Sequence, residues 1–75
     1  MTKEMLNIHH GKFFWDVFSV VFSLTGDRQV SQDITTESFL DLYKIGDGLT
    51  EDRNVKCFLL MSARNYSLQY LKKTT

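Results

Sequence analysis

The sequence has no proline, a single cysteine and only four glycines. One cysteine cannot form an internal disulfide and no C-x-x-C pair occurs, which excludes a disulfide framework and a cysteine-based zinc site. An unpaired cysteine also favours a reducing compartment, so we expect a cytoplasmic protein. Few helix-breaking residues, combined with six phenylalanines, three tyrosines and one tryptophan, favour a compact helical domain.

Long apolar runs are also missing. The most apolar stretch, FFWDVFSVVFSL, is 12 residues long and contains Asp16, whereas a membrane-spanning helix needs roughly 20 apolar residues. We therefore expect no membrane span. The 75 residues fit one domain, which at this size buries only about 60% of its unfolded surface and has a small margin of stability.

Groups suited to catalysis or metal binding are scarce. His9 and His10 are adjacent, so on a helix they point about 100° apart and make a poor metal pair. Cys57 lies among apolar residues with no histidine close to it in sequence, as an unreactive core thiol would. The sequence predicts neither catalysis nor a cofactor nor a metal site.

Three helical patterns separated by two breaks account for most of the chain. The first is predicted over about 3–24, the second over about 28–45 and the third over about 55–72. Gly26 is expected to end the first helix and Asp27 to cap the second, while Asn54 can cap the third. The polar segment 46–54 is expected to be a surface loop that can hold one short extra helix.

Apolar spacing predicts the buried side of the first two helices. On the first helix these residues are Phe14, Val17, Phe18, Val21, Phe22 and Leu24. On the second they are Val30, Ile34, Phe39, Leu42 and Tyr43. The result is a predicted all-α fold, a compact bundle of three main helices.

The charges are segregated along the chain although the net charge is zero. Residues 1–26 carry two cations and two acids, and residues 27–52 carry two cations and seven acids, a net −5. Residues 53–75 carry five cations and no acid, a net +5. An acidic second helix is thus followed by a basic third helix.

The acidic helix repeats Asp33, Glu37 and Asp41 every four residues, which predicts one ridge. Like charges at this spacing destabilise a helix by a few tenths of a kcal/mol per pair. Two interpretations stay open: a solvated face, or a docking ridge for a basic partner.

The basic helix is less regular. On an ideal helix Lys56, Arg64 and Lys72 advance by roughly 80° at each step and do not form one line. Arg53 and Lys56 lie at its N-terminal end, where the helix dipole disfavours cations, so an anion outside the helix is expected to meet them. Phosphate is the commonest such anion. Two interleaved tyrosines are expected either to stack on unpaired bases or to be half-buried packing residues, namely Tyr66 and Tyr70.

Three stretches in this order resemble region 2 of a bacterial RNA polymerase sigma factor, in the extracytoplasmic-function (ECF) class of the sigma-70 family. FFWDVFSVVFSLTGDRQ is similar to the family's first helix, SQDITTESFLDLY to its second, and NVKCFLLMSARNYSLQYLKK to its last. The resemblance covers about residues 9–73. It implies that residues 1–75 are a sigma region 2 domain that docks on core RNA polymerase and recognises and helps melt the promoter −10 element.

The resemblance also implies partners and contact residues. In the family the second helix binds the basic clamp helices of the largest polymerase subunit, while the last helix and the loop before it bind promoter DNA and capture a flipped-out base. An anti-sigma factor is a further partner that the resemblance allows. The polymerase-binding candidates are Asp33, Thr36, Glu37 and Asp41. The DNA-binding candidates are Arg53, Asn54, Lys56, Arg64, Asn65, Tyr66, Lys72 and Lys73.

Some positions depart from the family pattern. Thr36 replaces the usual glutamine, Asp41 stands where a basic or polar residue is common, and Phe58 replaces a tryptophan. The family's second DNA-binding domain, region 4, is not in this chain, so we expect residues 1–75 to be one domain trimmed from a longer factor. The rival interpretation is a small helical adaptor for protein–protein interaction that does not bind nucleic acid.

Overall fold

The computed structural model describes residues 1–74, with side chains through residue 73, and these form three α-helices and no strand. Helix α1 spans Lys3–Thr25, α2 spans Arg28–Ile45 and α3 spans Asp52–Thr74. The predicted all-α bundle of three helices is confirmed. In the link between α2 and α3, residues 46–51 hold a turn rather than the extra helix that the sequence allowed.

Local side-chain and backbone groups define the helix ends. Gly26 adopts the left-handed conformation, with φ of 68°, and its N–H donates to the carbonyl of Phe22 at 2.8 Å. The Asp27 carboxylate accepts from the N–H of Val30 at 3.0 Å and caps α2. Both predictions are confirmed. The predicted cap at Asn54 is wrong, because α3 begins at Asp52 and the Asn54 N–H is already bonded to the carbonyl of Glu51 inside the first turn.

Two ion pairs give the relative direction of α1 and α3. Lys12 Nζ lies 3.0 Å from the Asp52 carboxylate, and Lys56 Nζ lies 3.5 Å from that of Asp16. From Lys12 to Asp16 the chain advances along α1, and from Asp52 to Lys56, their partners, it advances along α3. The two helices are therefore parallel. The tight turn at 26–27 reverses the chain between them, and α2 runs antiparallel to both.

The core runs between the three helices. Its buried apolar residues are Phe13, Val17, Val21, Ile34, Phe39, Leu42, Val55, Leu59 and Ala63. Five predicted core residues are therefore correct: Val17, Val21, Ile34, Phe39 and Leu42. Four more are half-buried, namely Phe14, Phe18, Val30 and Tyr43.

The prediction that Phe22 and Leu24 are buried is wrong, because these side chains are 44% and 37% exposed. The buried line of α1 advances in steps of four, through Phe13, Val17 and Val21. Phe22 and Leu24 lie to either side of that line.

Buried hydroxyls line the places where the helices meet. Ser31, Thr35, Ser38 and Ser67 are fully buried, and each hydroxyl donates to the carbonyl four residues earlier. These short, internally satisfied side chains let neighbouring backbones approach without leaving a polar group unpaired. None of the described helices combines the length and the apolarity needed to cross a membrane.

Candidate interaction site on helices α2 and α3

The predicted acidic ridge on α2 is divided in two. Asp33 and Glu37 are exposed, as is Thr36 between them, and the Asp33 carboxylate accepts one hydrogen bond from Gln29 Nε2 at 3.1 Å. Asp41, in contrast, is half-buried and faces α3. Two of the predicted acids therefore present their charge to solvent, and the prediction of one three-acid ridge is wrong.

Asp41 connects α2 to α3. Its Oδ2 accepts hydrogen bonds from Ser62 Oγ at 3.0 Å and from the Tyr66 hydroxyl at 2.7 Å. The hydrogen bond to Asp41 raises the pKa of Tyr66 above its usual value near 10, with burial and the negative charges of Asp41 and Glu37 acting in the same direction. Asp41 thus holds two helices together, and the Tyr66 hydroxyl is bound inside the protein.

A groove lies beside this contact, where α2 ends and the middle of α3 passes. It has a volume of about 290 Å³ and is lined by three apolar side chains, Ile45, Phe58 and Met61, and three polar ones, Asp41, Ser62 and Asn65. We call it the α2/α3 groove. Ile45 and Met61 are 71% and 65% exposed, so the apolar walls are open to a ligand. Apolar walls with a few hydrogen-bonding groups suit a flat group that has a polar edge.

The cations of α3 differ in their surroundings. The buried positions of α3 are Val55, Leu59, Ala63 and Ser67. Lys56, next to Val55, is half-buried, whereas Arg64 and Lys72 are exposed. That these three cations do not form one line remains a prediction from helix geometry.

The two cations at the start of α3 meet carboxylates of the same chain. Lys56 pairs with Asp16 of α1 at 3.5 Å, and Arg53 pairs with Glu51 at 3.5 Å. All four side chains are at least 45% exposed. Such exposed pairs contribute only about 0–1 kcal/mol. Each of the two cations is thus paired with a carboxylate of the same chain, and the pairing is weak enough for a DNA phosphate to replace that carboxylate.

The remaining predicted DNA-binding residues lie on different sides of α3. Asn54 is exposed in the first turn, and Asn65 is exposed beside the α2/α3 groove. Arg64 is exposed and has no ion pair or hydrogen-bond partner among the described residues. Lys72 and Lys73 are exposed near the C-terminal end, where Lys73 borders a second depression together with Asp33.

The N-terminal part of the chain contacts both the link before α3 and the first residue of α3. The N-terminal ammonium of Met1 pairs with Asp47, and Lys12 pairs with Asp52. Sequence reasoning missed three groove residues, Ile45, Met61 and Ser62. The feature of the sequence that could have indicated the groove is Met61, an apolar side chain on a face of α3 that is otherwise polar.

Comparisons with known proteins identify no relative. No family model, no curated protein and no solved structure matches the chain. The functional proposal therefore depends on the geometry described above and on the sequence resemblance to sigma region 2.

Proposed function

We propose that this chain is a transcription initiation factor domain of the sigma region 2 type. In this proposal α2 docks on the clamp helices of core RNA polymerase, and α3 binds the promoter −10 element and helps to open it. The resemblance of the three helical stretches to the family supports the proposal. The observation that carries it is the α2/α3 groove, which lies between the end of α2 and the middle of the basic helix α3.

The polymerase contact is assigned to Asp33, Thr36 and Glu37. The two carboxylates are exposed one helical turn apart, and no cation of the described chain pairs with either. Complementary charge of this kind accelerates encounter with a basic surface and fixes the register of docking. Asp41 is not a contact in this proposal, because Ser62 and Tyr66 already occupy it.

The DNA contact is assigned to α3 and the groove. A base extruded from the duplex can pack on Phe58 and Met61 and form hydrogen bonds with Asn65, while Arg64, Lys72 and Lys73 neutralise phosphates. Unstacking costs a few kcal/mol per step, which capture of the base offsets in part. Tyr66 contributes packing and positioning rather than free stacking, since its hydroxyl is bound to Asp41.

Binding of a forked −10-like DNA by the complex of this chain with core polymerase tests the DNA assignment. We expect affinity to fall steeply with salt, and Asn65→Ala or Arg64→Ala to weaken binding by about tenfold. Lys44→Ala removes an exposed cation of α2 outside the proposed contact and is the matched control. A salt dependence near zero, or equal losses for all three variants, contradicts the proposal.

Charge reversal tests the polymerase assignment. We expect Asp33→Lys with Glu37→Lys to abolish capture of the polymerase clamp while the helical circular dichroism is unchanged. Glu4→Lys, an exposed acid in the first turn of α1, is the control that keeps capture intact. Unchanged capture by the double variant contradicts the docking assignment.

A protein-interaction adaptor that binds no nucleic acid is the second candidate function. The internal pairing of Lys12, Arg53 and Lys56 with carboxylates favours it, because it lowers the positive charge available to DNA. Forked-DNA binding that is absent even with polymerase present, combined with intact clamp capture, would support the adaptor.

A further inference from the structure

Aromatic rings form a continuous ladder along one side of α1. His10, Phe14, Phe18 and Phe22 follow one another at steps of four, with ring centroids 5.0, 5.9 and 6.1 Å apart. The ladder spans about 18 Å, or between three and four helical turns. Phe22 is 44% exposed, and Phe14 and Phe18 are only half-buried. This is a long apolar surface for a chain of this size.

The ladder borders a groove on the side of α2. We call it the α1/α2 groove: it has a volume of about 280 Å³ and is lined by Phe14, Trp15, Phe18, Arg28 and Gln32. Trp15 stands edge-on to Phe14 and Phe18 at 5.1 and 5.5 Å, and its side chain is 70% exposed. The Trp15 ring contacts the ladder but is not part of the buried core. Exposed apolar patches rimmed by polar groups mark interaction sites.

Arg28 makes the α1/α2 groove positively charged. No hydrogen bond or ion pair joins its guanidinium to another described residue, and no carboxylate lines the groove. It is the first residue of α2, where the helix dipole disfavours a cation. The neighbouring Asp27 carboxylate is engaged with the Val30 N–H as the cap. An external anion beside the aromatic rings would satisfy both the charge and the apolar surface.

We propose that the α1/α2 groove binds an acidic amphipathic helix of a partner protein. Apolar side chains repeating at three and four residues would pack on the ladder, whose length matches the three or four turns of helix-in-groove recognition. A carboxylate on the partner's polar face would pair with Arg28. This surface lies between α1 and α2, apart from the α2/α3 groove, and does not depend on the proposed transcription function.

A second copy of the chain fits the groove less well. The exposed acids Asp33 and Glu37 follow each other along a polar face of α2, and Asp16 of α1 already pairs with Lys56. Exposed apolar residues beside acids without an ion pair occur at Met5 and Ile8 near Glu4, and at Leu40 near Glu37. Each of these patches covers about one helical turn, too short to fill a ladder of three to four turns. The partner is therefore a different chain.

Two synthetic peptides of about four helical turns test the proposal with the full chain. Both carry the same leucine stripe, and the polar positions are glutamate in one and lysine in the other. Binding is read from the fluorescence of Trp15, the only tryptophan. We expect the acidic peptide to bind at least tenfold more tightly than the basic one, and Arg28→Glu to remove or reverse this preference. Lys44→Glu makes the same charge change at the other end of α2 and should leave the preference intact.

Three outcomes would overturn the proposal. One is equal binding of the two peptides, which indicates apolar adhesion without recognition. Another is an unchanged preference in the Arg28→Glu variant, which places the acidic contact elsewhere. The third is self-association of the free chain in sedimentation that Trp15→Ala abolishes, which assigns the face to a second copy.

Discussion

The hydroxyl of Tyr66 donates a 2.7 Å hydrogen bond to Oδ2 of Asp41, joining α3 to α2 at the edge of the α2/α3 groove. Ser62 donates to the same oxygen at 3.0 Å. Because of this contact, the Asp41 carboxylate is not available to the polymerase-docking face, and the Tyr66 ring is not free to stack on a base. It also holds Asp41 and Ser62 in one wall of the groove proposed to bind a base. Loss of this contact should therefore lower the free energy of unfolding.

Tyr66→Phe removes this hydrogen bond and keeps the ring. We expect the free energy of unfolding to fall by about 1 kcal/mol, since a bond to a charged acceptor is lost while Ser62 still satisfies part of the carboxylate. Urea unfolding measures the change. Tyr70→Phe is the control, because the Tyr70 hydroxyl makes no hydrogen bond within the described residues, and it should change stability by less than about 0.5 kcal/mol. Equal effects of the two substitutions would contradict the assignment.

The raised pKa of Tyr66 predicts a loss of stability in alkali. Folded Tyr66 keeps its proton to higher pH than the unfolded chain does. Its contribution is therefore complete below the unfolded pKa of about 10 and is lost as the pH rises through the folded pKa. We expect the unfolding free energy of the wild type to fall more steeply than that of Tyr66→Phe as the pH rises above about 10. Parallel curves for the two proteins would refute this coupling.

Asp16→Asn should strengthen DNA binding by the polymerase-held chain. The substitution removes the carboxylate that now pairs with Lys56 at 3.5 Å, and so makes this cation available to phosphate. Because an exposed pair is worth at most about 1 kcal/mol, we expect a gain of up to roughly fivefold. Glu4→Gln makes the same charge change about 18 Å away along α1 and controls for net charge. If both variants gain equally, Lys56 does not contact DNA.

The helices could be predicted from the sequence because their signals are local. Gly26 and Asp27 end one helix and begin the next by bonds that span three or four residues. The predicted start of α3 was wrong because Asn54, whose side chain suits a cap, lies two residues inside the observed start of α3 at Asp52. Local pattern alone cannot choose between two closely spaced capping positions.

The orientation of side chains depends on packing and was less predictable. Phe22 is as apolar as Phe13, yet the buried line of α1 passes through Phe13 and leaves Phe22 exposed. Ser38 looks like a surface residue in sequence, yet it is buried where helices approach closely, with its hydroxyl bound to the carbonyl of Ile34. The α2/α3 groove escaped prediction for the same reason, since Ile45 and Ser62 meet only when α2 and α3 pack.

His9 should limit the stability of the fold. Its side chain is 2% exposed, and neither ring nitrogen has a hydrogen-bond partner among the described residues. A buried polar group without a partner costs about 1–3 kcal/mol. We therefore expect His9→Leu, a change of similar volume, to raise the unfolding free energy by about 1 kcal/mol in urea titrations. His10→Leu, at an exposed position of the same helix, should change it by less than about 0.5 kcal/mol. A destabilised His9→Leu variant would indicate that the imidazole has a polar partner.

Two glycines should respond in opposite directions to alanine. Gly11 lies in the middle of α1, where an added Cβ would meet nothing within 4 Å, so Gly11→Ala should stabilise the protein by about 0.5–1 kcal/mol through helix propensity. At Gly46 an added Cβ would meet the backbone carbonyl of Leu42 and approach its Cδ1 to 2.7 Å. Leu42 is fully buried and cannot move aside, so Gly46→Ala should cost about 1–3 kcal/mol. Thermal and urea unfolding of both variants measure the difference. Because Gly46 joins α2 to the link beside the α2/α3 groove, a neutral Gly46→Ala would mean that this link is more loosely packed than the contact with Leu42 indicates.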